Sequence, residues 1–183
     1  MIQFRSNVFE TNSSSSHSIV LLNKQGLDNE EYFKCFLTKE GLFEIWRGED
    51  LEFGRYPFNI LSTFADKVKY AIASYGKSRF EEIEDLCRKY IVPAYFSSED
   101  IGYCTGIELP MDICSPDNEY YGGIDHQSMG LLDNTLNKLG ITLEEFLANS
   151  RYIVIIDGDE YQIFDKMFDC GLIGDSTVER RIG

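Results

Sequence analysis

The familiar catalytic signatures are missing from this chain, and histidine is scarce, at 2 residues. There is no G-x-S-x-G turn, no G-x-x-x-x-G-K phosphate loop and no H-E-x-x-H pair. A nucleophile elbow, a P-loop nucleotide site and a zinc-protease helix are therefore excluded in their usual forms. Paired cysteines are missing too: Cys35, Cys87, Cys104, Cys114 and Cys170 are odd in number, scattered and without a C-x-x-C. That pattern argues against a disulfide framework or a zinc ribbon and for reduced thiols in a cytosolic compartment. A zinc site drawn from Cys104, Cys114 and His126 competes with the simpler reading of small buried apolar thiols. No apolar run approaches the roughly 18 residues of a membrane-crossing helix. The N-terminus has no basic segment followed by a continuous apolar stretch, so the expected location is cytoplasmic.

Basic residues are few for the acids present, 17 Lys and Arg against 31 Asp and Glu, a formal net charge of -14. Such an excess repels free DNA and RNA, because phosphate neutralisation needs clustered Lys and Arg. It suits a partner that itself holds nucleic acid, since carboxylates can sit where phosphates would. What the chain does have is apolar and aromatic residues, 43% and 14%, which places it among folded proteins. Its 183 residues fit one domain, 1–183, with a single core.

The pattern along the chain predicts an α+β fold, an antiparallel β-sheet with an αα-hairpin packed on one face. Residues 2–9 (IQFRSNVF) and 18–22 (SIVLL) read as strands joined by a serine loop. Residues 33–38 and 42–47 alternate around Lys39, Glu40 and Gly41 and read as a β-hairpin. Leu61, Phe64, Val68, Ala71 and Tyr75 step by three and four, as do Phe80, Ile83, Cys87, Tyr90 and Ile91. Gly76 suits the end of the first helix, and Ser78 with Glu81 forms a capping box for the second. Further on, a strand is expected near 102–109, a strand or turn at GIDHQS, and a helix TLEEFLAN opened by Thr142 and Glu145. RYIVII, DGDE and YQIF then read as a hairpin, so Asp157-Gly158-Asp159 is a turn rather than a metal motif. The acidic runs EEIED (81–85) and EDLE (49–52) read as solvated faces.

The segment FETNSSSSHS (9–18) carries the chemistry-bearing residues: His17, with Arg5, Glu10, Asn12, Ser14, Ser15 and Ser16 around it. The second histidine, His126, follows Asp125 in GGIDHQS. The two can be unrelated loop residues, with the serines capping a turn. Placed in one cleft, they supply a general base and a general acid at neutral pH without a metal, because an imidazole titrates near about 6.5. RNA cleavage by an internal 2′-hydroxyl needs such a pair, with serine hydroxyls, Asn12 and Arg5 stabilising the phosphorane. Two competitors stay open: a serine hydrolase with Ser15 or Ser16 as nucleophile and Asp125 orienting its base, and a metal nuclease using Glu10 and Asp125.

The FETNSSSSHS segment, LEFGRYPF ahead of an amphipathic helix, and IDHQS together resemble a family of phage and mobile-element proteins with an E-T-N-S-S-S-(S/T)-H-S signature. In length and acidity the chain is similar to the type II-A anti-CRISPR proteins that truncate guide RNA. The matched segments run from residue 1 to about 156, although Arg55 stands where relatives carry tryptophan. The resemblance implies an anti-CRISPR inhibitor in the host bacterial cell, acting as a ribonuclease on the guide RNA of the type II effector nuclease. It places Glu10, Asn12, His17, Asp125 and His126 at signature positions. The two-histidine chemistry itself calls for no metal or other cofactor. Effector binding through the acidic surface then supplies the affinity that free RNA lacks, with Lys67, Lys69, Lys77, Arg79, Arg88 and Lys89 expected to touch phosphates. A non-catalytic alternative is an acidic protein that blocks the effector's nucleic-acid channel with carboxylates such as Glu81, Glu82, Glu84 and Asp85.

Overall fold

The computed structural model describes residues 16–22, 26–46, 50–53, 59–94, 102–109, 123–124, 132–157 and 181–182. It is an α+β fold built on an antiparallel sheet in the order β10-β1-β9-β5. These strands are β1 (Ser16–Leu21), β5 (Asn59–Leu61), β9 (Tyr152–Asp157) and β10 (Arg181–Ile182). β1 runs against β9 in unbroken register from Ser16↔Asp157 to Leu21↔Tyr152. Both runs, SIVL and IVII, are apolar without alternation because both faces are covered: Ile19 and Val20, like Val154 and Ile155, are all buried.

A helical hairpin forms the centre of the core, as the three-and-four spacing predicts. α2 (Phe64–Tyr75) and α3 (Phe80–Tyr90) are joined by a 3₁₀ turn, Gly76–Arg79, which Gly76 enters with φ 55. That positive φ is one that glycine adopts without a Cβ clash. α2 is capped reciprocally: Thr63 Oγ1 accepts from Asp66 N at 3.1 Å, and Asp66 Oδ2 accepts from Thr63 N at 3.2 Å. The box expected at Ser78 and Glu81 does not form. The chain stays wound through residues 76–79, so Ser78 is not at the N-cap and its hydroxyl donates back to the Tyr75 carbonyl at 2.7 Å.

Around α2 pack α1 (Asn29–Phe33), α4 (Leu132–Leu139) and α5 (Leu143–Ala148). α1 starts at Asp28, whose carboxylate accepts from Glu31 N, and α5 starts at Thr142, whose hydroxyl accepts from Glu145 N. Between α1, α2 and α3, Tyr32 meets Phe33 edge to face, Phe33 stacks on Tyr90, and Phe64 is tilted against both Phe33 and Tyr90. Full burial of a side chain such as Phe64 contributes about 1.5–3 kcal/mol.

The hairpin expected over 33–47 is not one. β2 (Lys34–Cys35) pairs in parallel with β6 (Val92–Pro93), and β3 (Leu42–Glu44) in parallel with β7 (Gly106–Glu108). The turn between β2 and β3 does exist, with Thr38 N donating to Leu42 O and Thr38 Oγ1 accepting from Glu40 N and Leu42 N. Beyond it the strands separate, because Cys35 and Phe43 bury their side chains in the core and each strand finds a partner from the chain that follows α3. β4 (Glu52–Phe53) likewise pairs in parallel with β8 (Gly123–Ile124). The strand expected near 102–109 is present as β7, and RYIVII as β9. Residues 2–9 and the DGDE and YQIF segments lie outside the described residues, Asp157 apart.

Candidate functional site

His17 is the second residue of β1 and is paired on both sides, with Ile182 of β10 and Ile156 of β9. Its side chain is 0% exposed. This corrects the expectation of a polar loop position: the strand begins at Ser16, one residue before the imidazole, and carries it under the sheet. Its Nδ1 lies 3.0 Å from the hydroxyl of Tyr70 on α2, with the two rings tilted at 39° and centred 5.7 Å apart. Tyr70 is itself buried, and burial pushes its phenol well above the ordinary tyrosine range.

Tyr70 touches a second element. The ring of Phe53, in β4, meets it edge to face at 5.2 Å. Phe53 is the register partner of Ile124 in β8, and the next residues of the chain are Asp125 and His126. The strand entered from the serine run and the strand leading into IDHQS thus meet the same tyrosine, one directly and one through Phe53. Ser16 is placed at the start of β1, opposite Asp157, on an extended strand and not on the sharp strand-to-helix turn that a serine nucleophile requires. Arg5, Glu10, Asn12, Ser14, Ser15, Asp125 and His126 lie outside the described residues. Tyr70 itself went unread in the sequence. Its only signal is that Lys67, Tyr70 and Ser74 form a second stripe beside Phe64, Val68, Ala71 and Tyr75, and all are buried.

The cations expected to touch phosphates are largely engaged within the protein. Lys67 is wholly buried, its Nζ donating to the carbonyls of Phe146 at 2.5 Å, Asn149 at 3.0 Å and Tyr152 at 3.0 Å. Lys69 pairs with Asp50 at 2.6 Å, Arg79 with Glu82 and Asp133, Arg88 with Glu84 and Asp85, and Lys89 with Glu144. The same pairs compensate Glu82, Glu84 and Asp85, so EEIED is not a bare row of carboxylates. Glu84 also accepts from Ile107 N at 3.1 Å and docks β7 on α3. Asp50, in the second acidic run, is half-buried between Lys69 and the Trp46 amide.

Cys35, Cys87 and Cys104 are free and buried, and burial raises all three thiols, Cys35 to about 12. Cys104 donates to the Gly106 carbonyl at 3.3 Å, as a small apolar thiol does; Cys114 lies outside the described residues. Among the described residues no group of three or more His, Cys, Asp or Glu is arranged to hold a metal. Among the same residues no helix is long and apolar enough to cross a membrane. Against known proteins, no family model, curated protein or solved structure matches this chain.

Proposed function

We propose that this protein is an anti-CRISPR ribonuclease that shortens the guide RNA held by a type II-A effector, working where the ETNSSSSHS and IDHQS segments come together. The observation that supports this reading is the convergence on Tyr70. His17 is hydrogen-bonded to it, and the strand preceding Asp125 and His126 is paired to its neighbour Phe53. The strand entered from the serine run and the strand that leads into IDHQS, far apart in sequence, thus both reach Tyr70, and this supports a shared site for the two histidines.

In the reaction, the 2′-oxygen bonds to the adjacent phosphorus as the bond from phosphorus to the 5′-oxygen breaks. One imidazole takes the 2′-hydroxyl proton and a proton donor supplies the departing 5′-oxygen, leaving a cyclic phosphate and a 5′-hydroxyl. In this reading Glu10 and Asp125 orient the pair, and Asn12, Arg5, Ser14, Ser15 and Ser16 stabilise charge on the phosphorane. His17 has no exposed surface in the free protein, so its contact with RNA requires rearrangement on the effector. A chain of net charge -14 with its helical cations paired internally is also a poor binder of free RNA. Both features make cleavage dependent on the effector.

The test is a denaturing gel of end-labelled guide RNA, free and effector-bound, with wild-type, His17→Ala and His126→Ala protein, each with and without chelator. A discrete shorter RNA is expected only with effector, in either buffer, falling about 10²–10⁴-fold in rate with either substitution. Intact guide throughout, with DNA cleavage still blocked, would replace this reading by the channel-blocking one.

A further inference from the structure

We infer that the outward face of β3 and β7, with Trp46 at its end, is a docking surface for an arginine side chain of a basic protein partner. That this partner is the effector rests on the ribonuclease reading above; the docking face does not.

The face is set by alternation along the chain. Phe43 and Ile45 turn into the core, 5% and 1% exposed, while Glu44 and Trp46 turn outward, Trp46 61% exposed. Glu108, also exposed, is the register partner of Glu44, and its carbonyl accepts from Ile45 N at 3.0 Å. Side chains of register partners leave a sheet on the same side, from strands about 4.8 Å apart. Two exposed carboxylates thus stand abreast, with the indole next in line. Among the described residues no cation pairs with either, whereas Glu82, Glu84 and Asp85 on α3 all have one. Like charges so placed repel. A local rule broken without compensation inside the fold marks a place used by something outside the chain.

The indole is the anchor. It is the chain's single tryptophan, and its backbone is held at both ends. Trp46 N donates to Asp50 Oδ2 at 2.8 Å, and Asp50 N donates to the Trp46 carbonyl at 3.2 Å. Lys69 on α2 holds Asp50 in turn, at 2.6 Å. An exposed aromatic on a fixed backbone loses little freedom when a partner covers it. Guanidinium fits these groups better than ammonium does, because its plane stacks on an indole face while its N–H groups fork to carboxylates. The net charge of -14 draws a basic surface toward the face, and tryptophan and arginine are the residues on which interface affinity concentrates. The same two carboxylates turn a nucleic acid away.

Because Trp46 is the only tryptophan, its fluorescence reports the face directly. The probes are nona-arginine and nona-lysine peptides, added to wild type and to two double variants of equal net charge. One is Glu44→Gln with Glu108→Gln; the other is Glu30→Gln with Glu145→Gln, at exposed positions in the first turns of α1 and α5. The expected result is a saturable change in Trp46 emission, tighter with arginine than with lysine. The first variant raises the Kd about tenfold and the second changes it little. Thermal melts of the free proteins are expected to show the first variant more stable than wild type, because it relieves repulsion, and the second less stable, because it removes helix N-terminal charge. Equal weakening by both variants would mean attraction by net charge alone and overturns the inference, as does a Trp46 emission that does not respond. With guide-loaded effector, Trp46→Ala is expected to weaken binding about tenfold. Effector binding unchanged by Trp46→Ala would overturn the assignment of the face to the effector. Absence of guide shortening by wild-type protein would overturn the ribonuclease reading and leave the peptide result standing.

Discussion

Lys67 Nζ donates to the carbonyl of Tyr152 at 3.0 Å, joining α2 to the first residue of β9 across 85 positions of the chain. With the Phe146 and Asn149 carbonyls it satisfies all three ammonium protons, at a place where a helix presents its negative end. The rings of Tyr32 and Phe146 flank the charge, each centred 5.0 Å from Nζ. Replacing Lys67 by Met leaves three buried carbonyls without this donor, an expected loss of about 2–5 kcal/mol in urea unfolding.

The same lysine gives a signed pH dependence. Burial lowers its pKa well below 10.5, so between the lowered value and 10.5 the unfolded chain binds more protons than the folded one. Stability supplied through this group therefore rises with pH across that window, by up to about 1.4 kcal/mol per unit. The gap between wild type and Lys67→Met is expected to widen from neutral pH toward the top of the window. Urea melts at both ends check it; a gap that narrows would mean that the carbonyls hold the ammonium more strongly than burial disfavours it.

The two capping sites make a paired prediction. Thr63→Ala removes an N-cap bonded in both directions and is expected to cost about 1 kcal/mol. Ser78→Ala removes only a hydroxyl bonded back to the Tyr75 carbonyl and is expected to cost less. Equal losses in chemical denaturation would return the cap to Ser78.

Charge reversals separate two kinds of carboxylate on α3. Glu84→Lys breaks the bonds to Ile107 N and Arg88 and is expected to lower thermal stability measurably. Glu81→Lys, at an exposed position, leaves stability near wild type. If guide RNA is the target, Glu81→Lys retains its shortening; loss of inhibition with that variant alone would favour a channel blocker.

The helical hairpin was legible because its apolar residues recur at three and four from Leu61 to Ile91, with Gly76 where the chain must leave α2. β9 was legible as an apolar run, and α5 through Thr142. α4 was passed over, since Asn134 and Asn137 dilute the spacing of Leu132, Leu136 and Leu139. The partners of β2 and β3 were illegible for a different reason. Parallel pairing joins segments far apart in sequence, and a turn with good local chemistry at Thr38–Leu42 says nothing of where the flanking strands go. Within the site, His17 was singled out by its signature, but neighbouring serines disguised a strand position. Lys67 looked like a surface cation because only the fold brings three carbonyls to it.

The most direct measurement is the number of guide RNAs shortened per protein molecule, with effector complex in large excess over inhibitor. Repeated turnover, lost in His126→Ala, is the result expected of a ribonuclease. Inhibition that stops at one effector per protein, with every guide intact, would contradict it.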